Sequence, residues 1–486
     1  MTKTNPTQTR PLVHFTPPQG WMNDPNGLIF HNGTYHLFYQ HHPHSLKWGP
    51  MHWGHAVSKD LITWENRPIA LFPDDAGYVF SGSAVIDIHN RAGFGAGAMI
   101  AIYSTHIPQS DDSAIQAQAI AYSLDDGCSW TKYSGNPVIP MPDLGGHNEF
   151  RDPKVEWFGT PEAGHWTMVL SVKDEVWIYT SPDLKSWTLG STFGRGLGCH
   201  GGVWECPDLF EIEVEGTGKT AWMMLVSVQN GAPSGGNGVQ YFVGDFDGNT
   251  FTPFETDPPT RWVDYGPDFY AAVTYNHEPN GRRILVGWMN NWPYSHDIPA
   301  EIWRGMQSVP RELFLVQTGS KTRLVQRPVA ELDSYWIQVI NGNGHLLDGV
   351  MGLEAFAAAV AEYTICFRLD EETSADVFGM RVRCGAGQYT EISYSRHEKQ
   401  VVVDRSKMGI DAPKMSPISM HRAKVEPIGE SITLNVIVDH ESVEVWVNDG
   451  TPYLTLLNYP LLQNTGFELF ARSGAVHVVS AVCKRN

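Results

Sequence analysis

One phrase recurs along the chain and constrains the fold more than any other feature. A Ser-x-Asp turn followed by an aromatic residue appears as SKDLITW, ending at Trp64, as SLDDGCSW, ending at Trp130, and as SPDLKSW, ending at Trp187; a weaker copy, GDFDGNTF, ends at Phe251. The copies stand roughly 60 residues apart, and internal repetition at such a period marks a repeat architecture. Each closes a stretch of short apolar runs bounded by Gly, Pro, Asn and Asp, such as LIFHNGTYHLFYQ and WTMVLSV, while long helical periodicity is scarce. Short strands punctuated by regular turn signals specify an all-β chain. New runs open at NDPNGLIF, SGSAVIDI, RDPKVEWF, CPDLFEI and DFYAAVTY, near positions 24, 81, 152, 207 and 268. Five units of this length each suffice for a four-stranded sheet, the blade of a β-propeller. The expectation is a five-bladed β-propeller over residues 10–335. A sandwich in its place would leave the matched start and end phrases without a cause.

Beyond about position 335 the pattern changes. SITLNVIVDHESVEVWVNDG alternates apolar and polar residues, as half-buried strands do. Residues 340–486 therefore read as a separate β-sandwich, with 323–336 as the connection and a short helix expected within 346–363. Two domains also follow from size, because 486 residues exceed what one core serves.

Composition narrows the function classes. A formal net charge of −19 repels phosphate backbones and argues against nucleic-acid binding. No run approaches about 18 apolar residues, so no membrane helix is expected. The N-terminus, MTKTNPTQTRPLVHF, has no apolar leader core; a cytoplasmic protein is expected as the sequence stands, or a secreted one if a leader has been removed. Six sparse cysteines without CxxC spacing read as free thiols rather than as disulfides or a zinc site. His36, His41, His42 and His44 lack an acid or thiol at ligand spacing, which argues against a metal. No feature of the sequence sets the oligomeric state.

Three acids fall in the opening strands of separate units: Asp24 in the first, Asp152 in the third and Glu205 in the fourth. Opening strands line the central channel of a propeller, so these carboxylates are expected to converge at one mouth. Two convergent carboxyl groups are what glycosidic hydrolysis requires. Asp24 precedes Pro25-Asn26-Gly27, expected to be a tight turn that holds it in place. Glu205 lies between Trp204 and Cys206, an apolar flank suited to a general acid. Arg151 beside Asp152 is expected to keep that carboxyl ionised. With a sugar in view, the 17 Trp, 18 Tyr and 21 Phe gain a use as stacking surfaces.

The phrases carrying these acids, WMNDPNG (21–27), FRDPKV (150–155) and WECPDLF (204–210), resemble glycoside hydrolase family 32, which contains invertases, inulinases, levanases and fructosyltransferases. QHHPHSLKWGPMHWGHAVSKDL (40–61), FSGSAV (80–85), DFYAAV (268–273), GWMNNW (287–292) and VDHESVEVWVNDG (438–450) resemble the levanase and exo-inulinase members in the same order, so the likeness spans the chain. The resemblance implies a five-bladed propeller plus a sandwich, a covalent fructosyl-enzyme and retention of configuration. It implies Asp24 as nucleophile, Glu205 as acid/base and Asp152 as transition-state stabiliser. It places Trp21, Met22, Asn23, Gln40, Trp48, Phe80, Ser81 and Arg151 at the fructose pocket, with Tyr270, Trp288 and Trp292 as further candidates. It implies no metal or organic cofactor. The expected partner is sucrose, a fructo-oligosaccharide, inulin or levan, attacked from its end. The same trio would serve a fructosyltransferase, in which a sugar hydroxyl replaces water. A non-catalytic fructan binder on this scaffold is the alternative of another class, and it has no need of all three acids.

Overall fold

The repeated phrase forms an Asp-capped turn at each copy, alike in three of them and one residue longer in the second, where Asp125 Oδ1 accepts from the Ser129 N–H at 2.9 Å. In the computed structural model, which describes residues 9–110, 113–255, 259–319, 321–409 and 418–486, each copy is the turn into the outermost strand of a blade. Asp60 Oδ1 accepts from the backbone N–H of Ile62 and Thr63 at 3.0 and 2.7 Å. Asp183 Oδ1 does the same for Lys185 and Ser186 at 3.0 and 2.7 Å, and Asp247 Oδ1 for Asn249 and Thr250 at 2.9 and 2.7 Å. Trp64, Trp130 and Trp187 each donate the indole N–H to the carbonyl three residues back. Leu61, Asp126 and Leu184 take left-handed φ values of 64°, 55° and 62° to close the turn. The phrase recurs because the same turn is built repeatedly.

The units are five four-stranded antiparallel blades among the described residues, the fourth and fifth joined by a parallel pairing of Val214 with Leu315. Blade I holds β1 (Gly20–His31), β2 (Thr34–His42), β3 (His52–Ser58) and β4 (Trp64–Leu71); blade II holds β5 (Tyr78–Asp87), β6 (Ala98–Pro108), β7 (Ala114–Ser123) and β8 (Thr131–Lys132). Blade III holds β9 (Phe150–Gly159), β10 (Gly164–Val172), β11 (Glu175–Ser181) and β12 (Thr188–Phe193); blade IV holds β13 (Gly201–Val214), β14 (Lys219–Asn230), β15 (Gly238–Phe246) and β16 (Phe251–Pro253). Blade V starts with β17 (Tyr270–Thr274) and β18 (Ile284–Trp288). Its chain then leaves to lay β19 (Trp303–Arg304) parallel to the start of β1, and returns as β20 (Arg311–Thr318) and β21 (Lys321–Pro328). The innermost strands touch in a closed cycle: β1 against β5, β5 against β9, β9 against β13, β13 against β17, and β17 against β1.

Burial on both faces follows from that ring, because each sheet packs between two others. Ile29 and Trp53 of blade I meet Val79 and Met99 of blade II; Ile100 and Val85 meet Met168 and Leu170 of blade III. Val176 and Phe193 meet Trp204 and Met224 of blade IV, and Phe210 and Leu225 meet Phe269 and Leu285 of blade V. Val273 and Val286 close the circle on Leu28 and Leu37 of blade I. This last layer also reaches Ile437, Trp446 and Tyr453 of the C-terminal region, so the ring's closure and the domain junction share one core.

The C-terminal region is a β-sandwich. One 20-residue strand (Gly466–Arg485) serves both sheets: its first half pairs with Val377–Gly385 and its second with Ala361–Arg368. The handover falls at Arg472–Ala475, where Ser473 and Gly474 adopt φ of 59° and 137°. The helix expected within 346–363 is absent: His345–Gly352 is a strand and Glu354–Phe356 a single 3₁₀ turn. The connection is also shorter than expected, because residues 321–328 complete blade V and Glu331–Tyr335 is a short helix. The six cysteines are unpaired. Residues 1–8, on which part of the leader reading rested, lie outside the described residues.

Candidate active site

Every innermost strand of the propeller carries a one-residue bulge at the same level. Asn23 and Asp24 oppose the single residue Gln40, and Phe80 and Ser81 oppose Ser104. Asp152 and Pro153 oppose Leu170, Cys206 and Pro207 oppose Val226, and Ala271 and Ala272 oppose Gly287. A bulge breaks the in–out alternation of a strand and re-aims its side chains. Three of the five place Pro in or directly after the bulge, Pro25, Pro153 and Pro207, where no ladder N–H is needed. The Asp-Pro and Glu-Cys-Pro phrases are thus bulges within continuous strands. This corrects the tight turn expected at Pro25-Asn26-Gly27, which lies inside β1.

The bulges of blades I, II and III, and Glu205 directly before that of blade IV, face a cavity of about 670 Å³ at the mouth of the propeller. Asp24, Asp152 and Glu205 share it, from blades I, III and IV. Asp24 Oδ2 accepts from Ser81 Oγ at 2.6 Å, and its Oδ1 accepts from Asn23 Nδ2 at 3.0 Å. Asp152 Oδ2 accepts from the Cys206 backbone N–H at 3.0 Å. The Cys206 thiol stands between the two acids, 3.6 Å from each. Glu205 accepts from Arg151 Nη2 at 2.8 Å on Oε1 and from the Tyr270 hydroxyl on Oε2. Glu149 takes the other amino group of Arg151.

Burial dominates the electrostatics. It pushes Asp24 above its ordinary value; the Ser81, Asn23 and Cys206 donors oppose that shift, and the nearby Glu205 charge adds to it. Burial likewise raises Asp152, to about 7, against the pull of Arg151 and with Glu205 and Asp24 adding to the rise. The expectation that Arg151 keeps Asp152 ionised is therefore corrected. Desolvation is the larger effect, and Arg151 gives its close contacts to Glu205 and Glu149, standing 3.9 Å from Asp152. Burial and the neighbouring acids drive the Cys206 thiol and the Tyr270 phenol well upward, so both keep their protons as donors.

Asn23, Gln40, Trp48, Phe80, Ser81, Arg151 and Trp292 line the cavity together with the three acids. Trp21, Met22, Tyr270 and Trp288 do not. They are fully buried behind its wall: Trp21 Nε1 holds Asn23 Oδ1 at 2.8 Å, and Trp21 stacks on Trp292 with centroids 6.0 Å apart.

A family model for the N-terminal domain of glycosyl hydrolases family 32 matches residues 14–328, and a model for the C-terminal domain of the same family matches residues 333–485. The chain belongs to glycosyl hydrolase family 32. It is 46% identical to a levanase of Bacillus subtilis over 97% of this chain and 69% of that one, and 38% identical to an extracellular exo-inulinase of Aspergillus niger over 97% and 93%. The crystal structure of exo-inulinase from Aspergillus awamori superposes with a TM-score of 0.90 at 35% identity, covering 98% of each chain. A fructofuranosidase from Schwanniomyces occidentalis complexed with fructose gives 0.89 at 31% identity, over 98% of this chain and of that one. This family 32 protein is a glycoside hydrolase of the β-fructofuranosidase type.

The family 32 motifs account for only part of the cavity lining. His106, Gln116, Glu149, Gln229, Asn230, Pro293 and His296 also line it, and the sequence reading missed them. They stand near strand ends, in loops or, for Pro293, in a short 3₁₀ turn, outside any recurring phrase. Strand register brings His106, paired with Tyr78, and Asn230, paired with Gly201, to the mouth.

Proposed function

We propose that the protein is a retaining, exo-acting β-fructofuranosidase that releases terminal fructose from sucrose, inulin-type or levan-type fructans. The observation carrying this reading is the convergence of Asp24, Asp152 and Glu205 in one cavity. The likeness to exo-inulinases supports attack at a chain end. Asp24 attacks the anomeric carbon of the fructose, its charged form held by Ser81 and Asn23. Glu205 protonates the departing oxygen and later takes a proton from the water that cleaves the covalent fructosyl-enzyme. Arg151 and Tyr270 fix the orientation of Glu205 for both steps. Asp152 binds fructose hydroxyls. Its carboxyl, raised to about 7, can donate to one hydroxyl as well as accept from another near neutral pH.

A time course of products from sucrose, inulin and levan tests the reading. Free fructose from the first time point, without a ladder of intermediate oligosaccharides, is the expected result. Longer oligosaccharides accumulating from sucrose would instead make the protein a transferase. Asp24→Ala should lower turnover at least about 10⁴-fold while the folded variant still binds fructan. A wild-type preparation without turnover on any of the three substrates would leave only the binding function.

A further inference from the structure

The mouth of the cavity carries a side chain that the proposed mechanism does not use. His106 lies near the end of β6, opposite Tyr78. Its ring stacks on Phe80 with centroids 4.1 Å apart and planes 12° from parallel, and Trp48 meets it edge-on at 6.5 Å. A chain of hydrogen bonds that starts from a backbone amide fixes its tautomer. The Phe150 N–H can only donate, and it does so to Gln116 Oε1 at 2.8 Å. That orients the Gln116 amide, whose Nε2 faces His106 Nδ1 at 3.2 Å. An amide nitrogen donates, so Nδ1 accepts and the neutral ring carries its proton on Nε2. Gln116 is buried, which presets the arrangement before a substrate arrives. Burial, with Arg151 nearby, lowers the His106 pKa to about 4, so the ring is neutral at ordinary working pH.

The end of the ring away from Gln116 is left for the cavity, which His106 lines. Tyr78, its strand partner, lies toward the mouth from the Phe80–Ser81 bulge; counted on the partner strand, His106 is two residues from Ser104, roughly 7 Å further out than the bulge whose Ser81 binds Asp24. We propose that His106 Nε2–H donates a hydrogen bond to a hydroxyl of the leaving-group sugar and so selects substrates whose departing part is itself a sugar. This rests on reading the cavity at the three acids as the terminal fructose site.

The test compares kcat/KM for sucrose with that for methyl β-D-fructofuranoside, whose departing methanol cannot reach His106. His106→Phe keeps the stacked ring and loses the donor. The sucrose-to-methyl-fructoside ratio should fall about fivefold to tenfold, the size of one neutral hydrogen bond. His106→Gln puts an amide donor near the old Nε2 position and should recover part of the ratio. An unchanged ratio in His106→Phe, including equal losses on both substrates, would overturn the proposal, as would a His106→Gln ratio no better than that of His106→Phe. Wild-type enzyme that cleaves neither substrate would overturn the fructosidase reading itself, and this assignment with it.

Discussion

Ser81 donates at 2.6 Å to the oxygen of Asp24 that also meets the Cys206 thiol, and this contact has a consequence measurable in pH. Burial raises the Asp24 pKa, while the hydrogen bond stabilises its charged form and holds the rise in check. Asp24 must be ionised to attack, so its pKa sets the acid limb of kcat/KM against pH. Ser81→Ala removes a lowering influence, and the acid limb should move to higher pH. A limb that stays in place or moves down would show that Ser81 does not tune Asp24. At this scale the sequence was legible where a residue type carries its own chemistry. The three acids and Arg151 stood out for that reason. The balance of forces on each acid was not legible. Arg151 is adjacent to Asp152 in sequence, yet it bonds Glu205 from another blade, and adjacency says nothing about desolvation.

The element that repeats is the Asp-capped turn. Asp183 accepts from Ser186 Oγ at 3.1 Å as well as from two backbone N–H groups, and Leu184 is held in the left-handed region. Asp183→Ala leaves those two amides without their acceptor and should cost about 1–2 kcal/mol in denaturant unfolding. Asp60→Ala should behave alike, because the two turns share their hydrogen bonds. A loss of only a few tenths of a kcal/mol in both would mean that the tryptophan N–H bonds hold the turns without the Asp. These turns were readable because their chemistry is local: Ser, Asp and an aromatic suffice within seven or eight residues. The bulges were less readable. Asp-Pro looks like a turn in isolation, and only pairing with a partner strand shows that two residues oppose one.

Between the domains lies a buried charge network. His14 gives its two ring nitrogens to Asp439 and Glu444, each at 2.9 Å, and Arg311 joins Glu444 at 2.7 Å to Asp264 at 2.9 Å. Arg405 of the sandwich meets Asp268 of the propeller at 2.8 Å, and Asp268 also binds the Tyr294 hydroxyl. Burial disfavours a charged His14, but the two carboxylates outweigh it and raise its pKa to about 9. The folded-state value lies above the unfolded value of 6.5, so the stabilisation is complete below pH 6.5 and is lost as pH rises through about 9. The shift corresponds to a loss on the order of 3 kcal/mol. Melting temperature should therefore decline across that window, and His14→Gln should flatten the decline while lowering stability at pH 6, since Asp439 would stay buried without its counter-charge and Glu444 would keep only that of Arg311. An undiminished slope in His14→Gln would assign the decline to other groups.

The sequence by itself determined the all-β class, the repeating unit, the change of character near residue 335 and the three acids of the cavity. Each is written in contiguous residues: strand alternation, a turn phrase, or a motif whose chemistry needs only its own side chains. The tertiary structure alone decided the ring closure by β19, the bulge register in every innermost strand, the direction of each pKa shift and the rim around His106. These depend on which strand lies opposite which, and on how far water is excluded. Neither is a property of neighbouring residues. That is why Trp21, Met22, Tyr270 and Trp288, which sit in or beside site motifs, lie behind the cavity wall, whereas His106 and Gln116, far from any motif, line its mouth.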